Sequence, residues 1–379
     1  MTSLDAVRGI AACVVVISHC YQILPREQRL DIDGTVLGHL FSPFHNGDAA
    51  VIIFFILSGY VLTLPYLRGA QLSYPTYVIR RICRIYLPFV AMILIALLLY
   101  CITGQPHVAE ASDWFNTLWP SERPSLVRLA RHLLMIGTEQ DMTLSPIMWT
   151  LIYEMRISLL FPLLVILCRD TRVAIIVALA MLVGCTKVIV ALGEPIHPSH
   201  AQNFGITVLW TIRIMPYFIT GILLSKHREQ IHRLWNRMPT IARFGFLAAP
   251  FVILVTIHHD FFVSKTDALY DLGAAILVVA AIEVPGLQAF LNEKIPQWLG
   301  RISYSTYLIH PPILLVVTPI LVGVLPFIFV ASAVMAASLA AATLMYVLVE
   351  ASAIKLGQRL TRTPTLGAGG KAEAPEAVL

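Results

Sequence analysis

The chain has 379 residues, of which 58% are hydrophobic and only 13% charged, against about 25% charged in an average soluble domain. The formal net charge of +5 does not point to nucleic acid, because the basic residues stand in the breaks between apolar runs, where they anchor helices at a membrane surface. Composition therefore excludes an ordinary water-soluble domain and selects an all-α polytopic membrane protein, a single bundle whose solvent is the bilayer.

From the N-terminus, Met1 to Leu24 contains Asp5, Arg8 and His19 inside an apolar stretch and has no A-x-A cleavage site, so it reads as a retained first helix and not as a removed signal. Ten spans of about 20 residues are predicted, at 4–24, 47–66, 82–103, 146–168, 171–192, 206–225, 241–258, 267–284, 302–322 and 325–350. The long connection from Gly104 to Ser145 carries Trp114, Trp119, Pro120 and Pro124. It is either a partial cover on the outer surface or an ordinary interfacial loop with aromatic anchors. Residues 1–355 form one transmembrane domain, and 356–379 a cytoplasmic tail that is largely disordered, since Gly, Ala, Pro and Glu without apolar periodicity dominate it. The six cysteines lie in or beside apolar segments without metal-ligand spacing, so no metal is expected.

With ten spans and an inside N-terminus, Arg26, Arg29, Arg123, Arg128, Arg131 and Lys265 lie in outer loops and Arg156, Lys187 and Arg213 within spans, leaving 18 of the 27 Lys and Arg in inner segments. The positive-inside bias thus places both termini in the cytoplasm. The three intramembrane basic residues are read as markers of an interior pathway, because a buried charge needs a partner or a wet cavity. There is no internal repeat, which argues against a transporter or flippase built from duplicated halves, the main alternative function.

Four constellations carry chemistry. Arg8 and His19 are eleven residues apart in one helix, so they share a face and differ in depth by about 16 Å. An imidazole withdrawn from water in a bundle is neutral and can accept a proton or attack an acyl carbon; a hydrogen-bonded core histidine is the plain alternative. Arg80, Arg81 and Arg84 open the third span, a spacing suited to phosphate or to simple headgroup anchoring. Glu154, in the run Trp149 to Glu154, comes close to the depth of His19 and is expected either to orient that imidazole or to pair with a buried base. Leu299 to His310, with Ser303, Tyr304 and Tyr307, forms a polar and aromatic face that lipid would not tolerate and that lines the bundle interior.

Taken in order, Leu4-Asp5-Ala6-Val7-Arg8-Gly9 with His19, Phe54-Phe55-Ile56-Leu57-Ser58-Gly59-Tyr60, Arg80-Arg81-Ile82-Cys83-Arg84, Trp149-Thr150-Leu151-Ile152-Tyr153-Glu154 and Leu299-Gly300 through His310 resemble the motifs of the membrane acyltransferase 3 family. Departures are mild: Thr150 stands where that family often has serine, and Ile157 and Ser158 replace its usual aromatic pair. The hydrolase-like domain fused to some relatives is not expected here.

The resemblance implies an O-acyltransferase of the cell (inner) membrane that moves an acyl group, acetyl foremost, from cytoplasmic acyl-CoA to a hydroxyl of a glycan or lipid-linked glycan. Arg8, Arg80, Arg81 and Arg84 would hold the donor. His19 and Glu154 would be catalytic, with His19 acting either as general base or as a covalent acyl carrier. Asp5, Trp149, Tyr153, Ser303, Tyr304, Tyr307 and His310 are candidates for the substrate path. Acyl-CoA, the acceptor and the lipid bilayer are the expected partners.

Overall fold

The computed structural model describes residues 3–69, 73–104, 107–119, 124–138, 144–195, 197–256 and 267–362. Among these there is no strand. Ten long helices follow one another: α1 Ser3–Ile23, α2 Gly47–Leu67, α3 Tyr74–Thr103, α4 Met148–Leu167, α5 Thr171–Ala191, α6 Phe204–Lys226, α7 Thr240–Thr256, α8 Asp267–Glu283, α9 Lys294–Leu321 and α10 Phe327–Leu360. Their starts are marked by ordinary caps. The side chains of Asn46, Asp170 and Asn203 accept from backbone N–H groups in the first turns of α2, α5 and α6, and Gly104, at φ 67°, ends α3.

Eight of the helices are long and apolar enough to cross a membrane, and the chain is an integral multi-pass membrane protein. The other two are α7 and α8. Seventeen residues give α7 only about 25 Å against a hydrocarbon core of about 30 Å, and α8 breaks at Val284 into Pro285–Leu291 with a bend of 87°. The predicted boundaries otherwise hold within a few residues, with three differences. Helices α3 and α9 each begin eight residues before the predicted starts at 82 and 302, and α10 runs on to Leu360, so the first residues of the predicted tail are helical; residues 363–379 of that tail lie outside the described residues, as do Pro120, Arg123, Lys265 and Lys371.

Two close crossings organise the bundle. A Cβ on Gly9 of α1 would collide with the backbone of Leu299, and a Cβ on Gly300 of α9 with that of Asp5; the missing side chains let α1 and α9 pack backbone to backbone. In the same way Gly59 of α2 lies on Phe218 and Gly221 of α6 on Ile56. Helix α9 also packs on α10, α5 on α6 and α7 on α8. Two π-turns interrupt α3 and α10, at Ile82–Tyr86 and Tyr346–Glu350. Such turns insert a residue into the α-helical ladder and re-aim the side chains that follow.

Candidate active site: two cavities that meet at Tyr307

Two cavities among the described residues enclose the motif side chains, and they are called inner and outer after the orientation predicted from the sequence. The inner one, a slot of about 70 Å³, is lined by Arg8, Ser58, Arg81, Arg84, Glu154, Ser303 and Tyr304 over an apolar wall that includes Phe54, Phe55 and Leu62. Three guanidiniums thus face one carboxylate. Arg8 is paired with Asp5 at 3.5 Å, and Arg84 lies in the field of Arg8, Arg81, Glu154 and Glu350. Glu350 is 3% exposed and accepts from Ser305 Oγ at 2.6 Å. One π-turn carries Arg84 into this cavity, and the other ends on Glu350, which lies outside the lining but whose charge acts on Arg84. Tyr304 braces the first of them, its hydroxyl donating to the Ile85 carbonyl at 2.7 Å.

The outer cavity is ten times larger, about 690 Å³. Its wall includes His19, Asp48, Trp114, Trp149, His197 and Tyr307, with Tyr21, Asp33, His45 and His200 further round. Trp114 stacks on the His19 ring, centroid to centroid 5.4 Å. Ser112 pins the loop that carries this tryptophan to the end of α1, its backbone N–H donating to the Ile23 carbonyl at 2.8 Å and its hydroxyl to that of Gln22 at 2.6 Å. The described part of the 104–145 connection thus lies against the His19 end of α1. Opposite, Trp149 meets His197 edge to face at 5.2 Å, and Asp48 stands 4.0 Å from His197 Nε2.

Val51 and Tyr307 line both cavities. Thr150 Oγ1 donates to the Ile147 carbonyl at 2.9 Å, so its 2.7 Å contact with Tyr307 is one in which the tyrosine hydroxyl donates. Tyr307, held by this bond, and Val51 form the wall that the arginine slot and the histidine chamber share, and Tyr307 is its polar part, a septum between them.

The predicted site residues divide accordingly. Arg8, Arg81, Arg84, Glu154, Ser303 and Tyr304 come together in the inner cavity, and His19 and Trp149 in the outer one, with Tyr307 between. The pairing of Glu154 with His19 is corrected: Glu154 accepts from Ser58 Oγ at 3.2 Å in the inner slot, while the partner of His19 is His310, with Nδ1 and Nε2 2.8 Å apart and rings stacked at 5.0 Å. Residue count gives depth in a membrane but not position around the bundle, and the Gly9–Gly300 crossing places α9 beside α1.

Arg80 stands apart from the other arginines. Its Nε donates to Thr361 Oγ1 at 2.9 Å, outside the slot; the π-turn between it and Arg84 breaks the 3.6-residue periodicity on which the 80/84 spacing rested. Tyr153 and Asp5 line neither cavity: Tyr153 is fully buried with its hydroxyl donating to the Pro198 carbonyl at 3.1 Å, and Asp5 pairs with Arg8 at 3.5 Å.

The three basic residues predicted within spans line neither cavity. Arg156 donates to the Ile136 carbonyl at 2.7 Å and to Thr207 Oγ1 at 2.9 Å, Arg213 donates to Thr186 Oγ1 at 2.7 Å, and Lys187 is exposed.

Sequence reasoning missed Glu350, read as the last residue of an apolar span, and the histidines His45, His197 and His200. A lone acidic residue at the end of the predicted tenth span and the run His197-Pro198-Ser199-His200 were the available signals. No curated protein and no solved structure matches the chain significantly. The acyltransferase domain family, acyltransferase 3, matches residues 1–347, which include all the motifs above and every cavity-lining residue named here. The chain therefore belongs to the acyltransferase 3 family and is a membrane acyltransferase.

Proposed function

We propose that this protein is an O-acyltransferase of the cell (inner) membrane, with ten spans and both termini cytoplasmic, that transfers an acyl group, acetyl foremost, from cytoplasmic acyl-CoA to a hydroxyl of a glycan or lipid-linked glycan. Residues 1–355 are the catalytic domain on this reading and 356–379 a cytoplasmic tail. The observation that carries it is the juxtaposition of a guanidinium-lined slot with a histidine-bearing chamber across one tyrosine. Guanidiniums in a confined site suit phosphate oxygens, and a narrow apolar-walled slot suits an extended thioester arm.

Arg8, Arg81 and Arg84 hold the anionic end of the donor, and the arm extends along α1 past Tyr307 toward His19. The acceptor enters the outer chamber, where Trp114 and Trp149 offer flat faces and Asp33 and Asp48 offer acceptors to hydroxyl groups. His19 removes the proton as the acceptor oxygen bonds to the thioester carbon, a step worth about 10² to 10⁴ in rate. As the C–S bond breaks, the imidazolium returns the proton to the departing sulfur, so ester and free thiol are the products.

The test is transfer of labelled acetyl from acetyl-CoA to a membrane glycan fraction by purified protein in nanodiscs, comparing wild type, His19→Ala and Arg84→Ala. The expected result is transfer by wild type, retained acetyl-CoA binding but no transfer by His19→Ala, and weakened binding by Arg84→Ala. Normal transfer by His19→Ala overturns the catalytic assignment. Glycan translocation by wild type without any acyl transfer favours the transporter reading.

A further inference from the structure

A backbone carbonyl dictates the proton positions in the histidine pair. His310 is completely buried, and its Nδ1 lies 3.1 Å from the carbonyl oxygen of Thr306, one turn earlier in α9. A carbonyl oxygen only accepts, so Nδ1 of His310 carries the hydrogen and, in the neutral ring, Nε2 carries the lone pair. That lone pair faces Nδ1 of His19 at 2.8 Å. The hydrogen in this contact must therefore belong to His19 Nδ1, which leaves the lone pair of His19 on Nε2. His19 lines the outer cavity, and its Nε2 has no hydrogen-bond partner among the described residues.

We infer that His310 is a positioning residue that holds His19 in its Nδ1–H tautomer, so that the Nε2 lone pair faces the acceptor chamber. The inference rests on the acyltransferase reading of the site for its functional meaning, but the tautomer itself does not. The arrangement gives His310 the part that a carboxylate plays in a Ser-His-Asp triad, that of fixing ring orientation and tautomer, with a neutral ring instead of an anion.

When Nε2 takes the acceptor proton, the Nδ1–H bond to His310 becomes charge-assisted and stronger. The lone pair of His310 is already in place, so no side chain need turn. Around the pair stand Trp114 over the His19 ring, Tyr307 at the edge of His310 and Asp48 of α2, whose charge acts on His19 through space. The crossing geometry makes the contact possible: His19 follows Gly9 by ten residues and His310 follows Gly300 by ten, along helices that run the same way.

The experiment is ¹⁵N NMR of histidine-labelled protein in nanodiscs, with the His19 signals identified by their loss in His19→Ala, joined to steady-state transfer kinetics for His310→Leu and His310→Gln. The wild type is expected to show His19 protonated at Nδ1 and bare at Nε2. His310→Leu removes the acceptor, so His19 should become a mixture of tautomers and kcat should fall about 10²-fold, within the range of the base's own contribution, with the KM for acetyl-CoA unchanged. His310→Gln can present an amide oxygen in place of Nε2 and should recover both the tautomer and most of kcat.

A wild-type His19 protonated at Nε2 overturns the inference without recourse to any variant. Wild-type kcat in His310→Leu overturns it as well. Absence of transfer by the wild type with the expected tautomer present would instead sink the acyltransferase reading.

Discussion

Gly9 of α1 and Gly300 of α9 press on each other's helix backbones, and ten residues beyond each of them stand His19 and His310, whose rings stack at 5.0 Å. The histidine pair is thus built at a distance by two residues that have no side chain. Gly9→Ala or Gly300→Ala forces the helices apart. Each substitution is expected to destabilise the protein by about 1–3 kcal/mol and, by moving the ring pair by about 1 Å, to reduce kcat by up to about 10²-fold. Thermal unfolding in detergent and transfer kinetics check this. Gly184→Ala on α5, where nothing lies within 4 Å of the added methyl, is the control and should be unchanged.

Arg81 and Arg84 line the slot and Arg80 does not. Replacing either of the first two by Gln should remove one charge-assisted contact to the donor, about 1.5–3 kcal/mol, and raise the KM for acetyl-CoA about 10- to 100-fold. Arg80→Gln loses its bond to Thr361 and should leave that KM within about twofold of wild type. A tenfold rise for Arg80→Gln, with none for Arg84→Gln, would reverse the assignment.

Glu154→Gln separates the slot from the dyad. Were Glu154 the orienter of His19, the amide would lower kcat and distort its pH profile. With Glu154 beside Ser58 and the arginines, the expected change is instead in donor affinity, and the pH profile of kcat should match that of the wild type. Isothermal titration with CoA and a kcat profile across the neutral range distinguish the two.

Tyr307→Ala deletes the septum. Acetyl-CoA hydrolysis without acceptor is expected to rise several-fold as water passes from the outer chamber to the thioester, whereas Tyr307→Phe, which keeps the ring against Phe54, should raise it less. Release of free thiol measures both. No increase for Tyr307→Ala would show that the two cavities are not divided by this residue.

Glu350→Gln keeps an acceptor for Ser305 but withdraws the buried charge near Arg84 and Arg8. Removing one partner from a buried set of charges costs about 3–5 kcal/mol, so the melting temperature should fall well below that of Ser305→Ala, which loses one neutral-to-charged hydrogen bond.

Apolar length alone located α1, α2, α4, α5 and α6 to within about two residues, because a bilayer leaves a backbone no choice but the helix. Residue type marked the Ser303–His310 face as interior, since lipid excludes such groups, and helical spacing put Arg8 and His19 on one face of α1. These properties are local to one segment, and the sequence by itself determined them.

The grouping of these residues into two cavities belongs to tertiary structure. Which helix lies beside α1 depends on a backbone crossing at Gly9 and Gly300 that only the assembled bundle reveals, so His310 and not Glu154 meets His19. The π-turns at Ile82–Tyr86 and Tyr346–Glu350 change the angular spacing that a 3.6-residue period assumes, which is why Arg80 leaves the slot and Glu350 enters the arginines' field. The chamber that holds His19 is walled in part by connections between the long helices, through Trp114 and His197, and such contacts follow from packing between distant segments and not from any periodicity along the chain.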